Sequence, residues 1–325
     1  MGEADAAAAG GPRRAPRYTG VRSFAGLPTA GIEEASRSAQ CAAAVVGAPF
    51  DTATSWRPGA RFAPEAIRSA SVLLRPWHPL HGLDVFAASG VLDAGDVAIT
   101  PGNAARSAEQ IASSLSPLCA AGTIPLLLGG DHSVALGELR AHAGAHGPLG
   151  LVLLDAHADT WEDYYGERFF HGTVIRRAIE EEVLDPRRSL IAGLRGSLYS
   201  QADLDEARAL GLELVSIEQL QADEPSAFAA RVRDRIGEGP ALMGFDIDVI
   251  DPSAAPATGT PEVAGLSAPK ALALLRALAG VRFVGFDLVE VCPPYDAPGQ
   301  ITSLLAANIA YEMLALAALA RRARD

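Results

Sequence analysis

The segment Leu149-Gly150-Leu151-Val152-Leu153-Leu154 is apolar throughout and runs directly into Asp155-Ala156-His157-Ala158-Asp159. An apolar run without polar alternation reads as a strand covered on both faces, as in the middle of a parallel sheet. In an extended chain, residues two apart point to one side, so Asp155, His157 and Asp159 converge where the strand ends. Two further segments repeat the arrangement. Residues 124–128 lead into Gly129-Gly130-Asp131-His132-Ser133, and residues 240–245 lead into Asp246-Ile247-Asp248, with Asp251-Pro252 just behind.

Outward from these segments, short apolar runs alternate with longer amphipathic ones. Strands are expected at 42–46, 91–94, 124–128, 149–154, 189–192, 213–217, 240–245 and 282–286. Helices are expected at 64–74, 103–121, 134–145, 173–182, 202–210, 225–236, 268–279 and 301–320. This βαβα order predicts an α/β fold with a mostly parallel sheet and helices on both sides. Such sheets bind ligands at the carboxyl ends of their strands, where the acidic segments fall. Residues 1–16, rich in Ala, Gly, Pro and Arg, read as a disordered tail. Residues 17–325 show no linker, repeat or shift of composition, and read as one domain.

The chain has 325 residues, 49% of them hydrophobic and 20% charged, with a formal charge of −12. That charge argues against nucleic acid and anionic membranes as partners and suits a cationic substrate. Cys41, Cys119 and Cys292 are too few and too scattered for a disulfide framework, which points to a reducing, cytoplasmic setting. No basic and then apolar leader is visible at the N-terminus. Residues 304–320 are apolar but interrupted by Asn308 and Glu312, which reads as a packed helix rather than a membrane span.

Six side chains then surround one point: His132, Asp155, His157, Asp159, Asp246 and Asp248. Four carboxylates and two neutral imidazoles carry a charge of about −4 at neutral pH. Without cations the set repels itself, and two divalent ions would neutralise it. With no thiolate present a structural zinc site is disfavoured, whereas Mn²⁺ suits mixed carboxylate and imidazole ligands; Fe²⁺, Co²⁺ and Ni²⁺ remain alternatives. An Asp at a strand end also caps turns, but three such segments after three buried strands ask for more than capping.

These segments, in this order, resemble the ureohydrolase family of arginases and agmatinases. The resemblance runs from about Tyr18 to the end of the chain. It includes Pro49-Phe50-Asp51-Thr52-Ala53-Thr54-Ser55-Trp56-Arg57 continuing to Arg68, Phe170-His171-Gly172-Thr173, and Pro256-Ala257-Thr258-Gly259-Thr260-Pro261. Asp287-Leu288-Val289-Glu290-Val291-Cys292 belongs to it too, and Leu304-Leu305-Ala306-Ala307-Asn308 looks like the agmatinase branch. The resemblance implies a three-layer α/β/α fold on an eight-stranded sheet, two Mn²⁺ ions per subunit, and a homotrimer or homohexamer. It implies one metal on His132, Asp155, Asp159 and Asp246, and the other on Asp155, His157, Asp246 and Asp248. Gly244 departs from the family, which mostly carries Ser there, and so removes a hydroxyl behind the ligands.

The expected chemistry is attack of a metal-activated water on the central carbon of a guanidinium, followed by collapse to urea and a primary amine. His171 is the candidate proton shuttle to the leaving amine. Glu290 is the candidate carboxylate for the guanidinium, with a buried pairing to Arg282 as the alternative. Asp131 is expected to orient a ligand histidine, and Thr258 to line the pocket. Arg61 and Arg68 either line the site mouth or form structural ion pairs. The loop from Trp161 to Phe170 is expected to shape the far end of the pocket. Its Glu162, Asp163 and Glu167 suit the ammonium of agmatine, which would yield putrescine. Its Arg168 suits the carboxylate of a guanidino acid such as 4-guanidinobutyrate or 3-guanidinopropionate. A non-catalytic member of the family is a further alternative.

Overall fold

The computed structural model describes residues 16–322. The tail expected at 1–16 lies outside them apart from Pro16. The eight strands are β1 Ala43–Gly47, β2 Leu92–Asp96, β3 Ile124–Leu128, β4 Leu149–Leu154, β5 Leu184–Leu194, β6 Glu213–Ser216, β7 Ala241–Asp246 and β8 Phe283–Val289. They form one sheet in the order β2-β1-β3-β8-β7-β4-β5-β6. Every pairing in it is parallel. The helices are α1 Ile32–Arg37, α2 Ala63–Ser71, α3 Val85–Ser89, α4 Ala104–Ala121, α5 Ala135–His146, α6 Val174–Glu180, α7 Ala202–Ala209, α8 Ile217–Ala222, α9 Pro225–Ile236, α10 Ala268–Ala277 and α11 Ile301–Arg322.

The period of two along β4 sorts its side chains between two helical layers. Val152 and Leu154 join Phe228 and Val232 of α9, Leu274 of α10 and Ile309 of α11. Leu151 and Leu153 join Leu136 and Leu139 of α5 and Ile175 of α6. Each such side chain is fully buried and contributes roughly 1.5–3 kcal/mol. All eight expected strands and eight expected helices are present. Three short helices, α1, α3 and α8, were not anticipated, since each has too few turns to show a 3.6-residue period. A two-strand hairpin of Trp77–His78 with Leu83–Asp84 was also missed.

Among the described residues, α11 is the one helix long and apolar enough to cross a membrane, and it is mostly buried inside the fold. Its polar interruptions are satisfied there. Asn308 Nδ2 donates to the Leu304 carbonyl at 2.8 Å. Glu312 is 3.0 Å from His78 Nε2 and accepts from Arg276 Nε at 2.9 Å. The His81 amide donates to His78 Nδ1 at 3.2 Å, so that ring has no lone pair left for a metal and works as a structural link.

Sheet order positions the functional residues. β3 and β4 are consecutive in the chain but not neighbours, because β8 and β7 are inserted between them. Four adjacent strand ends therefore present His132, Glu290, Asp246 and Asp155 in turn.

Candidate metal centre and substrate cavity

His132 opens a short 3-10 turn after β3. The turn can form because Gly130 lacks a side chain: a Cβ there would lie 1.6 Å from the Phe50 carbonyl oxygen. That close approach lets the Asp131 amide donate to the same oxygen at 2.8 Å. His132 Nδ1 lies 2.7 Å from Asp159 Oδ2, 3.2 Å from Asp155 Oδ2 and 3.7 Å from Asp246 Oδ2. His157 Nδ1 lies 2.9 Å from Asp248 Oδ2 and 3.6 Å from Asp155 Oδ1. Five of the six thus form two adjoining groups, His132 with Asp155 and Asp159, and Asp155 with His157 and Asp248, that share Asp155, one oxygen facing each, while Asp246 Oδ2 lies at the edge of the first.

Backbone amides fix the carboxylates. His157 N–H donates to Asp155 Oδ1 at 2.6 Å, Asp248 N–H to Asp246 Oδ1 at 2.8 Å, and Ala156 N–H to Asp248 Oδ1 at 3.1 Å. Asp159 and Glu290 hold φ of 51° and 62°. For side-chain-bearing residues this strain is of order 1–3 kcal/mol each and is typical of functional sites.

The electrostatics ask for cations. Burial pushes Asp246 well above the usual carboxylate range, and the charges of Asp248 and Asp155 push it further. Burial raises Asp159 as well, with Asp155 adding to it. Burial alone would lower His132, but Asp155 and Asp159 outweigh it and hold the imidazole well above its ordinary value. His157 is raised against burial in the same way by Asp248 and Asp155. Asp155 Oδ2 is buried without a hydrogen-bond partner. A crowded oxygen and nitrogen donor set with an orphaned carboxylate oxygen fits two hard divalent ions. Metal binding must displace the protons that the carboxylates hold on His132 and His157. Metal affinity, measured by calorimetry on stripped protein, is therefore expected to weaken as pH falls from 8 to 6. The expected slope is about tenfold per pH unit for each proton displaced. A flat profile would contradict this arrangement.

His171 is buried beside the cluster. Its Nδ1 is 3.0 Å from Glu290 Oε1 and its Nε2 is 2.9 Å from Ser55 Oγ. Burial opposes protonation, but Glu290 outweighs it and raises the imidazole above its ordinary value. Glu290 Oε1 also accepts the His132 amide at 2.8 Å, while Oε2 is buried and free. The pairing of Glu290 with Arg282 is therefore not formed.

Several expectations need correction. Asp131 makes no hydrogen bond to a histidine. It accepts from Ala53 N–H at 2.9 Å and from the Ser133 amide and hydroxyl, and Ala53 in turn accepts the His171 amide at 3.0 Å. It therefore positions His171 through the backbone. Thr258 is buried behind Glu290 with its hydroxyl unpartnered, and Thr260 stands on the cavity wall instead. Arg168 is half exposed and pairs with Glu180 at 2.7 Å, away from the cavity. Glu162, Asp163 and Glu167 do not line the cavity either. Trp161 stacks on Tyr164 and Tyr164 on Phe170, which folds that loop back on itself. Arg61 and Arg68 form structural ion pairs, with Asp51 and with Asp93. The missing Ser hydroxyl at Gly244 coincides with a buried Asp287 Oδ1 that has no partner.

A cavity of about 550 Å³ opens over the metal groups. His157, Asp159, Asp246, His171 and Ser55 line its inner part, and Trp161, Arg195, Tyr199, Asp203 and Glu262 its outer part. Ser55 and the stretch from Leu194 to Leu204 were missed. The second had a signal: it follows the expected strand at 189–192, at the same carboxyl edge as the ligands.

Fold and site together define a three-layer α/β protein whose acidic cluster could hold two neighbouring divalent cations. The Arginase family model matches residues 41–315. The chain belongs to the arginase family, hydrolases acting on C–N bonds of guanidino compounds. It is 41% identical to a guanidinobutyrase of Pseudomonas aeruginosa over 94% of both chains. It is 44% identical to a mitochondrial agmatinase of Gallus gallus, covering 84% of this chain and 80% of that one. The solved proclavaminate amidino hydrolase of Streptomyces clavuligerus superposes with a TM-score of 0.86 at 40% identity, covering 94% of this chain and all of that one.

Proposed function

We propose that the protein hydrolyses agmatine, a linear guanidine ending in an ammonium, to urea and putrescine. The outer cavity wall carries the observation. Its carboxylates, Asp203 and Glu262, stand there with one cation, Arg195, whose guanidinium is spent on backbone; Asp203 Oδ2 accepts the Tyr199 and Ser200 amides, which leaves Oδ1 for a ligand. Arg195 donates to the carbonyls of Val263, Gly193, Asp248 and Glu262. An ammonium is matched by that wall, with Trp161 and Tyr199 against the methylene chain. A guanidino acid such as 4-guanidinobutyrate is the second reading and rests on the likeness to the guanidinobutyrase.

The ligand set supports manganese, with His132, Asp155, Asp159 and Asp246 on one ion and Asp155, His157, Asp246 and Asp248 on the other. Bound ions supply Lewis acidity and lower the pKa of a water at neutral pH. Glu290 offers its free Oε2 as counter-charge to the guanidinium, and its Oε1 favours a proton on His171 Nδ1, while Nε2 accepts the Ser55 amide at 3.1 Å. His171 then donates that proton to the leaving amine. Three buried free thiols support a reducing, cytoplasmic setting.

Urea release over agmatine, 4-guanidinobutyrate, 3-guanidinopropionate and arginine tests the substrate. Agmatine is expected to give the highest kcat/KM, and Asp203→Asn to lower it roughly 10–100-fold, the worth of one charge-assisted hydrogen bond. A tenfold preference for either guanidino acid would overturn the reading, and no urea from any substrate would mark a non-catalytic protein. Replacing His171 with Asn is expected to lower kcat by roughly 10²–10⁴ at unchanged metal content, since its nitrogens face Glu290 and Ser55 rather than ligand oxygens.

A further inference from the structure

Arg177 on α6 is among the largest side chains the fold buries completely, at 2% exposure. Its Nη2 donates to Glu180 Oε1 at 3.0 Å. Its Nε and Nη1 are buried and have no hydrogen-bond partner among the described residues. Glu180 is 40% exposed and also receives Arg168, so one half-solvated carboxylate serves two guanidinium groups. A buried cation so poorly compensated is costly unless something else neutralises it.

Beside Arg177 lies a small, partly open recess of about 10 Å³, room for about one water-sized particle. Its wall includes Ala104, the first residue of the 18-residue α4, and Leu136, the second residue of the 12-residue α5. The recess therefore lies beside the first turns of two long helices, whose partial positive charge adds to that of the guanidinium. Ser133 and Thr173 are also on the wall, but their hydroxyl protons go to Asp131 and to the carbonyls of Arg168 and Phe170. Free N–H groups come from Arg177, and most of the remaining wall is apolar.

We propose that this space is a binding site for one monatomic anion, with a halide such as chloride as its occupant. Its inner volume suits one small particle better than phosphate, sulfate or a carboxylate. A halide needs only donors and tolerates methyl and phenyl neighbours, whereas a neutral water would leave the buried charge unanswered. The site joins the turn of Ser133, next to His132, to the turn of Thr173, two residues from His171. The bound anion thereby ties the metal-ligand turn to the proton-donor turn from behind.

Crystals of the manganese-loaded protein grown in bromide, with data collected at the bromine edge, test this directly. An anomalous peak against Arg177 Nε and Nη1 is expected, and a water without anomalous signal there would overturn the proposal. In solution, the Tm of the loaded full chain in millimolar chloride is expected to exceed that in gluconate at equal ionic strength. Arg177→Met is expected to abolish the difference. Equal Tm values for the parent chain in the two salts would refute the site, and this measurement stands even if the variant fails to fold.

Discussion

Asp155→Asn is expected to empty both metal positions and take urea release to background. Asp155 faces both groups, with Oδ2 at 3.2 Å from His132 and Oδ1 at 3.6 Å from His157, and it shares both proposed ligand sets with Asp246. Asparagine keeps the shape and one acceptor, so the amide of His157 is still received. It removes a negative charge that both cations need and places an NH₂ group against one of them. Losing a partner that only supports a metal ligand already costs roughly 10–100-fold in affinity, and a shared ligand must cost more. Metal content by elemental analysis should fall from two equivalents per chain towards none. Retention of two equivalents with normal turnover would refute the shared role of Asp155.

Glu290→Gln should have the opposite signature: metal retained, turnover lost. Glutamine still offers an oxygen to the His132 amide, now received by Glu290 Oε1 at 2.8 Å, so the ligand turn keeps its anchor. What disappears is charge. On the proposed role the guanidinium would lose its counter-ion at Oε2, and His171 loses the carboxylate 3.0 Å from Nδ1 that raises its pKa. The His171 value is therefore expected to fall, leaving less of the proton donor charged at neutral pH. Removing one preorganised electrostatic group of this kind costs roughly 10²–10³ in kcat. Loss of both the donor and the counter-charge should put the variant at or beyond the upper end. Loss of metal from this variant would assign Glu290 to the metal centre instead.

The residues that were legible in the chain share a property. Each metal ligand lies within a few residues of a buried apolar strand, and its spacing along the chain already implies which side it faces. Asp155, His157 and Asp159 illustrate this: period two at the end of β4 is local information. Arg168 shows where local reading stops. Its charge and its place between Asp159 and His171 suggested the pocket, yet the Trp161–Tyr164–Phe170 stack turns the loop back and Glu180 takes the guanidinium. Ser55 shows the converse. It lies in the 49–68 stretch that carries the resemblance, but no strand or helix period singles it out, and it meets His171 where Asp131 holds Ala53 and Ala53 holds the His171 amide.

Hydrophobic patterning alone specified the eight strands, the layered α/β class and the acidic strand ends, because burial on two faces writes itself into composition residue by residue. The order of those strands in the sheet is a different kind of fact. The insertion of β7 and β8 between β3 and β4 brings Asp246 and Glu290 to His132 and Asp155, across 91 to 158 residues of chain. The packing of that sheet against its helices also turned Asp131 to the backbone, Thr258 behind Glu290, and Asp203 to the cavity wall. Contacts of this range depend on which surfaces meet, and the period of a strand or helix carries no record of its neighbour.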